Sequence, residues 1–196
     1  MVEVARKRFG LGALTTAFLL GVIAGLVAAS QLPYAHPAAA PEGYVTILSD
    51  KEYFPKALEL VQGAEKNIYV AMYVAKYDPE DPDDPVNDLL SVLASARQRG
   101  LDVRVLVDDE TLESYPQTIG FLKSQGVLVR LDESHAIRMH AKLLIVDGKH
   151  VLVGSHNWTE SALKYNHEAT AYVRSQEVGS EATEYFMELW EEGRSL

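Results

Sequence analysis

The sequence predicts an α/β fold: a mixed β-sheet sandwiched by helices over residues 44–196, preceded by one N-terminal transmembrane helix. Three observations carry this. Short β-branched runs alternate with amphipathic runs of helical period from Tyr44 onward. Gly100 and Gly126 close two of the helical runs, and Asp147-Gly148 joins two apolar runs with a hairpin signal. The stretch from Gly10 to Ala29 carries no charged residue.

At about 1.5 Å per residue that stretch spans roughly 30 Å as a helix, enough to cross a bilayer once. Arg6-Lys7-Arg8 lies before it and no charge follows until Glu42, which places the N-terminus in the cytoplasm and the remainder outside. Residues 1–30 are therefore expected to be a retained membrane anchor, giving a single-pass cell-membrane protein. The alternative is a signal segment cut near Ala28-Ala29-Ser30, giving a secreted one. Residues 31–43 hold three prolines and an alanine run and read as a flexible linker.

The domain from residue 44 then follows element by element. Tyr44 to Leu48 reads as a strand, Phe54 to Ala64 as an amphipathic helix, and Asn67 to Ala75 as a buried strand. Val86 to Arg99 is a helix stopped by Gly100, Val103 to Val107 a strand, and Gln117 to Ser124 a helix stopped by Gly126. Val127 to Leu131 leads into a hairpin of Met139 to Val146 and Val151 to Val153. Thr159 to Lys164 is a short helix, Ala169 to Arg174 a strand, and Glu181 to Glu192 the final helix.

Composition narrows the function. With 196 residues, 47% of them hydrophobic, the chain can build one good core beyond its N-terminal segment. The absence of cysteine excludes disulfides, thiolate zinc sites and a cysteine nucleophile. A net charge of −10 excludes a broad basic surface for nucleic acid, so a polyanion must be gripped locally, by Arg138, Lys142, Lys149 and Lys164.

The chemistry concentrates between His140 and Asn157. His140, Lys142, Asp147, Gly154, Ser155 and Asn157 fit H-x-K-x4-D-x6-G-S-x-N. A strand's period of two puts His140 and Lys142 on one face, and Ser155 and Asn157 share another. Gly154 lets the backbone come close to a bound group. One nucleophile candidate (His140), one fixed cation (Lys142) and two neutral donors (Ser155, Asn157) can thus reach one small anion. Asp147 is expected to orient the hairpin through hydrogen bonds without touching substrate. Lys142 in the middle of the constellation repels a cation, so no metal is expected.

This pattern resembles the HKD motif of the phospholipase D superfamily, and the order of elements after Tyr44 is similar to its small bacterial and archaeal nucleases. The resemblance implies a phospholipase D/nuclease-like fold and hydrolysis of phosphodiesters through a phosphohistidine, with no cofactor. His140 would attack phosphorus while Lys142 and Asn157 hold the charge on the non-bridging oxygens. By its place after the Asn157 segment, Glu168 matches a glutamate of those nucleases, and would accept a hydrogen bond from the other ring nitrogen of His140. Only one motif is present, and one histidine cannot be nucleophile and leaving-group acid in the same step. In the resembling single-motif proteins the second imidazole comes from the same histidine of a second subunit, which implies a homodimer with a shared active site. His135, His156 or His167 within one chain is the alternative source.

The substrate stays open at this point: DNA or RNA, a phospholipid, or an anionic ligand bound without turnover. Residues 78–85, acidic and proline-rich, read as a stiff solvated loop or as a lid over the site. Trp158, beside Asn157, is expected in the core, with base stacking the alternative. Cysteine pairs that some membrane-anchored relatives use for a zinc module are missing, so roles tied to that module do not carry over.

Overall fold

The computed structural model describes residues 41–196. The anchor expected over residues 1–30, and all but the last three residues of the expected linker, lie outside them. Among the described residues no helix is long and apolar enough to cross a membrane.

The strands are β1 (Tyr44–Ser49), β2 (Asn67–Met72), β3 (Asp102–Val107), β4 (Leu128–Leu131), β5 (Lys142–Val146), β6 (His150–Gly154), β7 (Ala169–Arg174) and β8 (Arg194–Ser195). The helices are α1 (Tyr53–Gln62), α2 (Pro85–Gln98), α3 (Asp109–Ser114), α4 (Pro116–Ser124), α5 (Glu160–Lys164) and α6 (Gln176–Glu192). One sheet runs β1-β7-β6-β5-β2-β3-β4-β8, parallel through β2-β3-β4 and antiparallel elsewhere. It is the mixed sheet that the alternation of runs predicts.

Both faces of the central strands are buried, which is why β2 is apolar almost throughout. Ile68, Val70 and Met72 pack with α1, α2 and α4, whereas Tyr69 and Ala71 point to the other side, against Phe186 and Trp190 of α6. Trp158 is fully buried with the first group and its indole donates to the Tyr53 hydroxyl at 2.9 Å. Its core expectation holds, and no face remains for a base. Among the described residues the second face is covered by α6 and by the segment around Met139. Ile47, Ala171 and Val153 stand in register on its uncovered part, with Ile47 59% and Val153 47% exposed.

Several boundaries differ from the sequence reading for physical reasons. Helix α6 begins five residues earlier than Glu181, capped by Ser175, which accepts from the Val178 N–H at 3.3 Å. Gly179 there is a packing contact: a Cβ would lie 2.1 Å from the Gly148 carbonyl, so the glycine lets α6 lie on the β5–β6 turn. Helix α3 and strand β8 are too short to show a period. The acidic segment 78–85 is braced: Asn87 donates to the Asp78 and Asp81 carbonyls, Asp84 caps α2, and Lys164 donates to the Asp83 carbonyl.

Candidate active site

The site forms at the carboxyl end of the parallel strands, where α/β sheets usually hold ligands. Lys142 opens β5 and pairs with Met72, the last residue of β2. His140 lies just ahead of the strand, not within it, so the expected strand from Met139 is shorter by three residues. Two bonds fix that lead-in: the Met139 N–H donates to Asp108 Oδ2 (2.9 Å) and the Ala141 carbonyl accepts from the Tyr73 N–H (3.0 Å).

Although off the strand, His140 still meets Lys142. The buried ammonium of Lys142 lies 3.0 Å from His140 Nδ1 and donates to the His140 carbonyl at 2.8 Å. Burial holds the Lys142 pKa below its ordinary value, while the charges of Glu168 and Asp108 pull it back up. The imidazole itself is exposed, tilted against the Tyr73 ring with centroids 4.5 Å apart.

The second half of the motif comes in from the loop after β6. The Trp158 N–H donates to the Val74 carbonyl (2.9 Å) and the Lys76 N–H to the Trp158 carbonyl (2.8 Å), which ties this loop beside the end of β2. Buried His156 anchors it from below, bonded to Thr170 Oγ1 (2.7 Å) and the Asp50 carbonyl (2.9 Å). Asn157 Oδ1 is buried without a hydrogen-bond partner. Gly154 makes its close approach to β7, not to a ligand: a Cβ would lie 2.3 Å from the Ala169 carbonyl.

Glu168 does not make the expected bond to His140. Its carboxylate accepts from the Ser155 hydroxyl and from Asn166 Nδ2 (3.1 Å), and its backbone exchanges two bonds with Asp50. The reason is local: Ser155 and Glu168 both lie just past the pairing of Gly154 with Thr170, the last of the β6–β7 ladder, whereas His140 has Lys142 on its Nδ1. Glu168 therefore belongs to the site through Ser155 and through its field on Lys142.

Asp147 is the one motif member that the fold takes away. Its carboxylate accepts from the backbone N–H groups of Glu65 (3.0 Å), Lys66 (2.7 Å) and Asn67 (3.1 Å), pinning the hairpin to the start of β2. Five residue steps at about 3.3 Å each put it roughly 16 Å from Lys142. In this place Asp147 orients the hairpin, away from the His140–Lys142 pair. Of the four cations expected to grip a polyanion, Lys149 sits at the same distant turn and pairs with Glu42 (3.5 Å), and Lys164 pairs with Glu160 (3.2 Å). Arg138 and Lys142 remain at the site.

Sequence reasoning missed Tyr73, Asp108 and Arg194. Arg194 binds Asp109 (2.6 Å), the Asp132 carbonyl (2.8 Å) and His135 (2.9 Å), closing the loop that leads to His140. Only Asp108, following a β-branched strand, carried a sequence signal, as a helix cap.

A family model described as "Cardiolipin synthase, PLD-like domain" matches residues 57–190. The chain belongs to the phospholipase D superfamily. Mitochondrial cardiolipin hydrolases of Danio rerio and Xenopus tropicalis are 35% and 38% identical over 94 residues. That is 48% of this chain and 41% and 44% of theirs, so the chain spans less than half the length of these relatives. A phospholipase D of Rickettsia conorii is 29% identical over 132 residues, 66% of this chain and 58% of that one. Nuc of Salmonella typhimurium, a phospholipase D family member, superimposes with a TM-score of 0.66 at 24% identity, covering 79% of this chain and 99% of Nuc. NucT of Helicobacter pylori gives 0.66 at 21%, covering 79% of this chain and all of NucT. These two structures show that this phospholipase D-like domain has their fold.

Proposed function

We propose that the domain is a metal-independent phosphodiesterase that works through a phosphohistidine on His140, with DNA or RNA as substrate. The observation that carries this is an exposed imidazole held against a buried ammonium. In the first step a His140 nitrogen bonds to phosphorus as the P–O bond to the leaving group breaks, and a second, protonated imidazole gives its proton to that oxygen. Water then attacks phosphorus, its proton returns to the second imidazole, and the N–P bond breaks. Lys142, already shared between His140 Nδ1 and the His140 carbonyl, turns to the non-bridging oxygens with the Asn157 amide.

The second imidazole is proposed to come from His140 of a second copy. Each other described imidazole is committed elsewhere: His135 to Asp109 (2.5 Å), His150 to Tyr172 (2.9 Å), His156 to Thr170 and Asp50, and His167 to Asp50 (3.1 Å). The uncovered apolar row around Ile47 and Val153 supports a surface for that copy.

A phospholipid is the second reading. An open cleft of about 420 Å³ beside His140 and Lys142 is lined by Leu143, Val153, Val178, Ala182 and Tyr185, a surface that suits an acyl chain. One panel separates the readings: the full-length chain in EDTA with single-stranded DNA, RNA, phospholipid vesicles and a small chromogenic diester. Turnover of nucleic acid and the small diester supports the first reading, and turnover confined to vesicles replaces it with the second. No turnover of any of them leaves a non-catalytic anion-binding module.

The N-terminal segment is proposed to be a retained anchor with the domain outside the cytoplasm, on the strength of Arg6-Lys7-Arg8 and the uncharged run after it. Full-length protein should then stay in membranes through a carbonate wash and lose the domain to external protease. Release of a soluble form beginning near Gln31 would overturn the anchor.

A further inference from the structure

Tyr73 is the common neighbour of three cationic or ionisable side chains. The His140 ring lies 4.5 Å from its centroid, the Lys142 ammonium 4.8 Å, and the Arg138 guanidinium carbon 5.3 Å, with Arg138 also donating to the Tyr73 hydroxyl at 2.6 Å. The backbone makes this arrangement stiff. Tyr73 follows β2 directly, its N–H bonds the Ala141 carbonyl, and its carbonyl accepts from Thr111 Oγ1 (3.1 Å). An aromatic face attracts cations without neutralising them.

Arg138 is exposed, and none of the ion pairs among the described residues uses it. One of its five N–H donors goes to Tyr73, which leaves the planar fork able to take a phosphate in two bonds. Because it shares one ring with His140, at 5.3 and 4.5 Å, its guanidinium is within about 10 Å of the imidazole. Lys142 is buried and occupied at the scissile position; Arg138 stands outside it.

We propose that Arg138, held in place on Tyr73, binds the phosphate next to the scissile one, so that the site favours a nucleic-acid strand over an isolated diester. Tyr73 is then a positioning residue and Arg138 a specificity residue. This rests on the phosphodiesterase reading for its scissile phosphate, but its test can be read without turnover. The overall acidity of the chain makes such a contact decisive, since no broad basic surface substitutes for it.

The test measures anisotropy of a fluorescein-labelled single-stranded DNA bound by full-length protein in EDTA over a salt series, for wild type, Arg138→Gln, Arg138→Lys and Tyr73→Phe. Arg138→Gln should weaken binding about tenfold and reduce the log–log salt slope by about 0.7, one phosphate contact on a single strand. Arg138→Lys should restore the slope but not the full affinity, and Tyr73→Phe should weaken binding severalfold at unchanged slope. In turnover, Arg138→Gln should lower kcat/KM for the oligonucleotide about tenfold more than for the small diester. Unchanged affinity and slope in a folded Arg138→Gln protein overturns the proposal. So do equal losses on both substrates, or a loss seen only with anionic vesicles. If wild type turns over no diester, the reaction proposed above fails while the salt slope still decides this one.

Discussion

The Lys142 ammonium and the His140 imidazole meet at 3.0 Å although only Lys142 is in the strand. Burial sets the pKa of this lysine below its ordinary 10.5. A lysine that must be charged to hold a transition state then loses its function earlier on the alkaline side.

From this, kcat/KM should fall as pH rises through a value below 10.5, because deprotonation removes the charge on the phosphoryl oxygens. Lys142→Met should cost at least ~100-fold at neutral pH with folding intact by circular dichroism. Lys142→Arg, which stays charged, should abolish the alkaline limb at a reduced rate. A limb that persists in the arginine variant would assign it to another group.

Asp147 should behave as a structural residue. Asp147→Ala leaves three N–H groups, those of Glu65, Lys66 and Asn67, without their acceptor and puts alanine at a φ of 56°. A loss of about 2 kcal/mol, read as a Tm lower by about 4–8 °C, is expected, with kcat well below Tm changed less than about threefold. A loss of kcat as deep as that of Lys142→Met, in a protein of unchanged Tm, would return Asp147 to the chemistry.

A shared site has a stoichiometric signature. When wild type is refolded with an equal amount of His140→Ala and subunits pair at random, about a quarter of the dimers are wholly wild type. Total activity should fall to about half that of the same wild-type protein refolded alone, because mixed dimers lack either the nucleophile or the acid. Unchanged activity would mean that each chain carries a complete site.

Much of this was legible in residue order. The alternating runs around β2 and β3 and the Asp147-Gly148 turn are local physics, and the left-handed φ of 56° and 61° at that pair is the geometry such a turn demands. The meeting of His140 and Lys142 was also legible, since they stand two residues apart. Tyr73 and Arg194 were not. Tyr73 reads as one more apolar residue after a strand, and it joins the site only because β5 pairs antiparallel with β2. Arg194 acts from the far end of the chain through a two-residue strand that no periodicity can announce. Glu168 was placed by analogy, and the contact that the analogy supplied is replaced by Ser155.

The phosphohistidine is the central claim, and trapping it is the most direct test. Full-length protein quenched in alkali during turnover of an excess of small diester should show, by peptide mass spectrometry, a phosphoryl adduct on the peptide containing His140. The adduct should be absent from His140→Ala. Steady turnover by wild type with no adduct on that peptide, or turnover retained by His140→Ala, would contradict the mechanism.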